Sequence, residues 1–242
     1  KYFILIREWF KESQINVPEY IEETIYRLGQ GYAFIWQNIN KDFLFNGNNI
    51  SNNDVFDNYL KRLGYNFKNE NQECGGYVVF KNKKVCLAID AGSTPSMIHT
   101  RDYQSGALSF EIISNRQKLI SNCGYYSKNN INLNQISKTS AAHSTLIIDD
   151  NSSCKFTKTN NYWLVKKGPK ILKKDILFEK NYWKINVSHD GYLKKYNSIH
   201  ERQIEFFPDK MLFIGIDKII KKKSNHNYKF DIRFHVEPKS KL

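Results

Sequence analysis

YVVFKNKKVCLAID, residues 77–90, decides how this chain is read. Two runs rich in β-branched and aromatic residues, Tyr77–Phe80 and Val85–Ile89, flank a polar Asn82-Lys83-Lys84 turn, the pattern of a β-hairpin. The two-residue period returns downstream at Ala107–Ile113, Lys118–Asn122, Ser144–Ile148, Tyr162–Lys166, Tyr182–Ser188, Ile199–Phe206, Met211–Asp217 and Lys229–Val236. In the last of these Phe230, Ile232, Phe234 and Val236 alternate with Asp231, Arg233 and His235. Short strands separated by Asn, Gly, Ser and Lys turns predict a mainly β chain, a large antiparallel β-sandwich. There is no βαβ rhythm, P-loop or GxGxxG motif, so a nucleotide-binding α/β fold is disfavoured. No repeat of roughly 20–50 residues is present.

Upstream of the hairpin the period changes. Ile21, Ile25, Leu28, Tyr32, Ile35 and Ile39 recur at steps of four and three, one apolar stripe on a long helix. Asn16 is placed to cap it, with Pro18 in its first turn and Glu19, Glu22 and Glu23 at its positive end. Phe56, Tyr59, Leu60 and Leu63 form a shorter stripe stopped by Gly64, and Tyr2–Phe10 a third. Three such helices are too few to enclose a core. Residues 1–66 therefore read as the close of a larger helical domain and residues 67–242 as the sandwich. Lys1 at the start and a strand-like run at the end suggest a piece of a longer protein, cut short within the sandwich.

The 242 residues carry 37 Lys and Arg against 24 Asp and Glu, a net charge of +13. The excess lies wholly beyond residue 65, with nine Lys between Lys155 and Lys184 against Asp175 and Glu179. Lysines outnumber arginines 30 to 7, and Asn and Ile are also abundant, so AT-rich coding is one source of the charge. As a surface, lysine attracts polyanions through a diffuse field. The scarcity of arginine argues against base reading in nucleic acid. No run approaches the roughly 20 apolar residues of a membrane span. Cys74, Cys86, Cys123 and Cys154 show no CxxC spacing, which excludes a zinc knuckle or thioredoxin-like motif; buried free thiols or one disulfide stay open.

Several strings occur in a telling order: Asp90-Ala-Gly-Ser-Thr-Pro95, Tyr103-Gln-Ser-Gly-Ala-Leu-Ser-Phe-Glu111, Asn122-Cys-Gly124, Thr139-Ser-Ala-Ala-His-Ser-Thr-Leu146, Ser188-His-Asp-Gly-Tyr192, His200-Glu-Arg202 and Ile232-Arg-Phe-His-Val236. Together they resemble the C-terminal β-sandwich of the heparinase II/III family, which includes uronate-polysaccharide lyases. Asp42-Phe-Leu-Phe-Asn-Gly47 is similar to the close of that family's (α/α) toroid. The resemblance implies a supersandwich-like fold behind a toroid, and a periplasmic or cell-envelope setting. No signal peptide is visible in this stretch, which leaves a cytoplasmic setting as the alternative.

The chemistry so implied is β-elimination: the uronate carboxylate is neutralised, a base takes the α-proton, and an acid protonates the leaving oxygen. The family's toroid residues for this, Tyr, His and Asn or Glu, would lie upstream of Lys1. Its sandwich supplies a His-x-His pair, an Asp before Gly and a later His, and in some members the second His, the Asp and the last His hold zinc. Carried onto this sequence, the pair falls on Asp102 and Gln104, the Asp on Asn122, and only His143 is kept. Amides are poor substitutes for zinc ligands, so no cofactor is expected. His99 could fill in for the lost first His if the loop register shifts. The candidate catalytic residues are therefore His99, Asp102 and His143. Gln104, Asn122, His189 and Trp163 are the candidate sugar contacts. His200 and Arg202 share a strand face and are expected to pair with acids across the sheet. The expected partner is an acidic polysaccharide, not nucleic acid, and the alternative to a lyase is a non-catalytic acidic-glycan binder that has lost the lyase histidines.

Overall fold

A computed structural model of the chain describes residues 1–36, 42–49, 54–69, 71–126, 131–159, 162–221 and 227–238. It separates into two compact units, one formed by residues 1–40 and 52–74 and the other by 41–51 and 75–242.

The first unit holds helices α1 (Tyr2–Glu12), α2 (Glu19–Ile35) and α3 (Asp54–Arg62), and the short strand β1 (Glu73–Cys74). Ile4, Ile21, Ile25 and Leu60 are its buried centre, with Val17, Phe56, Tyr59, Tyr65 and Phe67 packed against them. Helix α2 begins behind Pro18, whose extended backbone is the N-cap, with no side-chain cap bond; Asn16 does not cap it. Its buried face runs through Ile21, Ile25, Gly29 and Ala33 in steps of four, so Leu28 and Ile35 stay exposed. Gly29 explains the choice: the Phe67 ring lies where a side chain would go, 2.1 Å from the place of a Cβ. Ile39 falls outside the described residues.

The second unit is the sandwich. In one sheet β2 (Tyr77–Lys81), β3 (Val85–Asp90), β4 (Phe110–Ser114), β5 (Gln117–Ser121) and β14 (His235–Val236) are neighbours in that order. The hairpin read from the sequence is there, with Tyr77 opposite Asp90 and Phe80 opposite Leu87. The other sheet runs β12 (Leu212–Lys221), β11 (Ser198–Phe207), β10 (Trp183–His189), β9 (Ile171–Phe178), all antiparallel. Between them Val78, Phe80, Leu87, Ile89, Phe110 and Ile112 of the first sheet meet Trp183, Ile185, Val187, Ile204 and Phe206 of the second. Trp183 is the hub, 5.8 Å from Phe80 and 4.7 Å from Phe206 by ring centroid. Two smaller antiparallel pairs, β6 (Leu146–Ile148) with β13 (Phe230–Ile232) and β7 (Lys155–Thr159) with β8 (Tyr162–Lys167), complete the strands.

Three readings need correction. The lysine-rich stretch holds two unforeseen strands, β7 and β9. Strand β9 lies at a sheet edge, where lysines discourage pairing with other chains, and those lysines hide its period. The single run Lys229–Val236 is two strands in two sheets, with Arg233 bonded to the Thr145 carbonyl at the switch. Residues 131–138, where no element was read from the sequence, form a helix, α4 (Ile131–Lys138).

The segment Asp42–Asn49 belongs with the sandwich for a chemical reason. Leu44 N donates to Glu111 Oε1 (3.0 Å), Gly47 N to Gln104 Oε1 (3.0 Å) and Asn46 Nδ2 to Asp90 Oδ2 (2.9 Å). The unit division thus differs from a single boundary near residue 66.

Asp90 is buried with amide and hydroxyl neighbours: Asn46, which also donates to the Tyr77 hydroxyl, and the Gly92 N–H. Burial pushes its carboxyl up to about 7. The folded chain then holds a proton that the unfolded chain releases near about 4, so stability falls as pH rises from about 4 to about 7. Asp90→Asn is expected to remove that fall and to gain about 1–3 kcal/mol on the unsubstituted chain at pH 8 relative to pH 4. Urea midpoints at the two pH values would show it; parallel shifts for both proteins would refute it.

Candidate functional site

Four of the seven residues nominated by the sequence are buried. Gln104 is 0% exposed and spends both ends of its amide: Oε1 accepts from Gly47, and Nε2 donates to the carbonyls of Gly124 (3.0 Å) and Ser137 (2.6 Å). It ties three segments together and presents nothing to a ligand. Asn122 donates from its backbone N and its Nδ2 to Glu111 Oε1, both at 3.1 Å, and accepts from Ser144 N at 2.8 Å. His143 donates from Nδ1 to the Thr139 carbonyl (2.8 Å), which leaves Nε2 as a buried acceptor without a partner. Burial pushes its imidazole down to about 4, so it is neutral at physiological pH and sealed from substrate. A side chain at Gly106 would lie 2.7 Å from its Cδ2, so only glycine lets the chain pass.

His189 is the fourth. Its Nδ1 accepts the Gly191 N–H (3.0 Å), so its proton sits on Nε2 and points to His200 Nδ1 (3.2 Å); His200 Nε2 in turn donates to Asp217 Oδ1 (2.6 Å). Burial holds both imidazoles below their ordinary range, and Asp217, between His200 and Arg202, is held down to about 2. The pairing expected for His200 and Arg202 is met by Asp217, which stands opposite Arg202 on β12.

The other three reach the surface. His99 is exposed on a short 3-10 turn, Met97–His99, that packs against β8. Asp102 is exposed, with Arg101 Nε 4.0 Å away. Trp163 is half-buried on β8, opposite Lys158 of β7. Thr100 joins these pieces: its Oγ1 donates to the Met97 carbonyl (2.6 Å) and accepts from Val165 N (2.9 Å). Arg101 lies over the Tyr162 ring, 4.3 Å from its centroid. The result is a basic and aromatic surface of Arg101 and Tyr162 beside Asp102; Trp163, the next residue of β8, takes the other face of the β7–β8 hairpin together with its partner Lys158.

Beneath it lies Lys138, which sequence reading missed because the Asn- and Ser-rich helix carrying it showed no clear apolar period. Its Nζ donates to the carbonyls of Arg101 (2.6 Å) and Tyr103 (3.0 Å), gripping the chain on both sides of Asp102. The rings of Tyr125 and Phe156 cover it at 5.0 and 5.6 Å. Burial pushes the ammonium down to about 8. Tyr125 reaches Asp102 and Asn134 with its hydroxyl, and burial raises that hydroxyl above its usual range.

The sequence profile described as Heparinase II/III-like, C-terminal, matches residues 70–242. The chain belongs to the heparinase II/III-like family. Among solved structures it is similar to heparan sulfate lyase HepC from Pedobacter heparinus, with a TM-score of 0.65 and 14% identity over 91% of this chain and 36% of that one. It is also similar to a structure of heparinase III, with a TM-score of 0.65 and 15% identity over 91% of this chain and 37% of that one. At such identity the likeness is one of fold. The chain spans about a third of the length of these neighbours. No curated protein matches it.

The resemblance read from the sequence put the zinc-ligand positions of some family members on Gln104, Asn122 and His143. These residues do not fit the ion. Both amides are committed to hydrogen bonds inside the protein, and only His143 Nε2 is left as a donor atom. No bond among the three is found either; each is tied to a different part of the fold. Among the described residues no group of three or more His, Cys, Asp or Glu is placed to hold a metal, and no helix is long and apolar enough to cross a membrane.

Proposed function

We propose that this chain is the glycan-contacting sandwich of a heparinase II/III-like polysaccharide lyase, acting on an acidic, uronate-containing polysaccharide by β-elimination. The observation that carries the reading is the β7–β8 hairpin, which has Tyr162 under Arg101 and beside Asp102 on one face and Trp163 with Lys158 on the other. Aromatic faces stack on sugar rings, and the guanidinium and ammonium supply the positive charge that a uronate carboxylate needs before its α-proton can leave. Asp102 stands where the family has its first histidine. A carboxylate cannot neutralise another carboxylate, so its part is to accept hydrogen bonds from sugar hydroxyls. The base and acid of the elimination are assigned to residues upstream of Lys1. Gln104 and Asn122 hold by hydrogen bonds the segments that zinc holds in some relatives, so we propose that the site works without the metal.

The test uses the full-length protein with a panel of heparan sulfate, heparin and alginate, following the ultraviolet absorbance of unsaturated uronate products. Product with at least one polymer is expected, and silence across the panel would refute the lyase. Trp163→Ala is expected to weaken polymer binding about tenfold, roughly 1.4 kcal/mol. Lys158→Ala should instead reduce the dependence of binding on salt. Unchanged binding in both would remove the Trp163 face of the hairpin from the site.

The second reading is a non-catalytic acidic-glycan binder. It is favoured by the filling of the His-x-His positions with Asp102 and a saturated Gln104. Salt-sensitive binding without product is its signature.

A further inference from the structure

The loop after β5 and the strand β14 bring a thiol and an imidazole together at the surface. Cys123 is exposed, and its Sγ lies 3.5 Å from His235 Nδ1. The imidazole has a fixed tautomer. Its Nε2 lies 3.0 Å from the Ala141 carbonyl, which can only accept, so the proton is on Nε2 and the Nδ1 lone pair faces the sulfur. Backbone bonds hold both partners: Cys123 N donates to the Ala142 carbonyl (3.0 Å) and His235 N to Ser144 Oγ (2.9 Å). The strand register, with His235 opposite Ser121, sets the spacing.

We propose that Cys123 and His235 form a base-assisted thiol nucleophile, a site that takes small disulfides into mixed disulfide. In the step, the Cys123 S–H gives its proton to His235 Nδ1 as the sulfur attacks one sulfur of R–S–S–R. The Cys123 S–S bond forms, the R–S–S–R bond breaks, and the imidazolium returns the proton to the departing thiolate. The disulfide is the oxidant and leaves half-reduced as a thiol. His235 is neutral at rest because burial and the Arg233 charge hold it below its ordinary range, against the opposite pull of the Ala141 and His143 carbonyls. Burial raises the Cys123 thiol, so little thiolate stands ready and the proton must move during attack.

The other thiols supply internal controls. Cys86 and Cys154 are buried, and burial pushes both up to about 12. Cys74 is exposed like Cys123, and no hydrogen bond to its sulfur is found among the described residues. The chain carrying Cys74→Ser is mixed with a chromogenic aromatic disulfide, the released thiol is followed from pH 6.5 to 8, and the modified peptide is identified by mass. Label on Cys123 is expected, with a rate that changes less than about threefold across that range, because the neutral pair is the reacting form. A rate rising about tenfold per pH unit would mark an unassisted thiolate and overturn the proposal, as would label on Cys86 or Cys154. Adding His235→Gln should lower the rate at pH 7 about tenfold or more and restore the steep profile. An unchanged rate in a folded His235→Gln protein would overturn it equally. If that variant fails to fold, the pH profile of the Cys74→Ser chain decides alone.

Discussion

Replacing Arg202 by methionine is expected to cost about 3–5 kcal/mol of stability, enough to unfold much of the sandwich at moderate temperature. Arg202 is 1% exposed and uses its guanidinium fully. Nε and Nη2 grip both oxygens of Asp217 at 2.8 and 3.0 Å, while Nη1 donates to the carbonyls of Leu108 (2.8 Å) and Ser144 (2.7 Å). The Phe110 ring lies 5.1 Å from its central carbon. Methionine would fill most of the volume and leave a buried carboxylate with only His200 as partner. It would also free Leu108, a branched residue in the left-handed region at φ 57° whose carbonyl Arg202 holds. Lysine should recover little, because a single ammonium cannot fork across a carboxylate. Adding Asp217→Leu to the methionine variant should restore part of the loss, since no bare charge then remains, although His200 still lacks its acceptor. Urea denaturation of the three proteins checks this, and a loss under about 1 kcal/mol in the first would mean that Arg202 acts as an ordinary surface pair.

Glu111→Ala should carry a penalty of the same order, about 3–5 kcal/mol. Glu111 is 0% exposed, its Oε2 meets Lys118 Nζ at 2.8 Å, and its Oε1 accepts from Leu44 N, Asn122 N and Asn122 Nδ2. Alanine strands a nearly buried ammonium and three N–H donors at once. Lys118 also donates to the Asp42 carbonyl, so the loss reaches both ends of Asp42–Leu44. The distinguishing result is local. Amide exchange at Leu44 and Gly47 should accelerate in Glu111→Gln even where global stability falls by only about 1–2 kcal/mol, because the neutral amide keeps the acceptor and loses the ion pair. Unchanged exchange at both amides would mean that other contacts hold the segment.

These two residues show how far the sequence could be read. Arg202 and His200 were placed on one strand face by period two, and β11 does bury Ser198, His200, Arg202, Ile204 and Phe206 in alternation. Glu111 stood in a quoted motif without a role, because its partners come from residues 44, 118 and 122. Local pattern reports which side of an element a residue takes and says nothing of what waits there. The same limit explains the sugar contacts assigned to Gln104, Asn122 and His189. Asn, Gln and His suit a sugar cleft and suit an internal backbone tie equally well, and only burial separates the two. Trp163 and Asp102 could be nominated from sequence. Lys138 and Tyr162 could not, since their value lies in being brought to the Arg101–Asp102 turn by a helix and a hairpin distant in the chain.

The sequence by itself determined the sandwich, its central hairpin and its family, because two-residue alternation and the order of short motifs are properties of the chain taken locally. Tertiary structure alone decided which polar residues are consumed inside the protein and which face solvent. A hydrogen bond between distant segments depends on positions that no local pattern encodes. The amides at 104 and 122, the ion pairs of Glu111 and Arg202, and the thiol beside His235 are all of that kind.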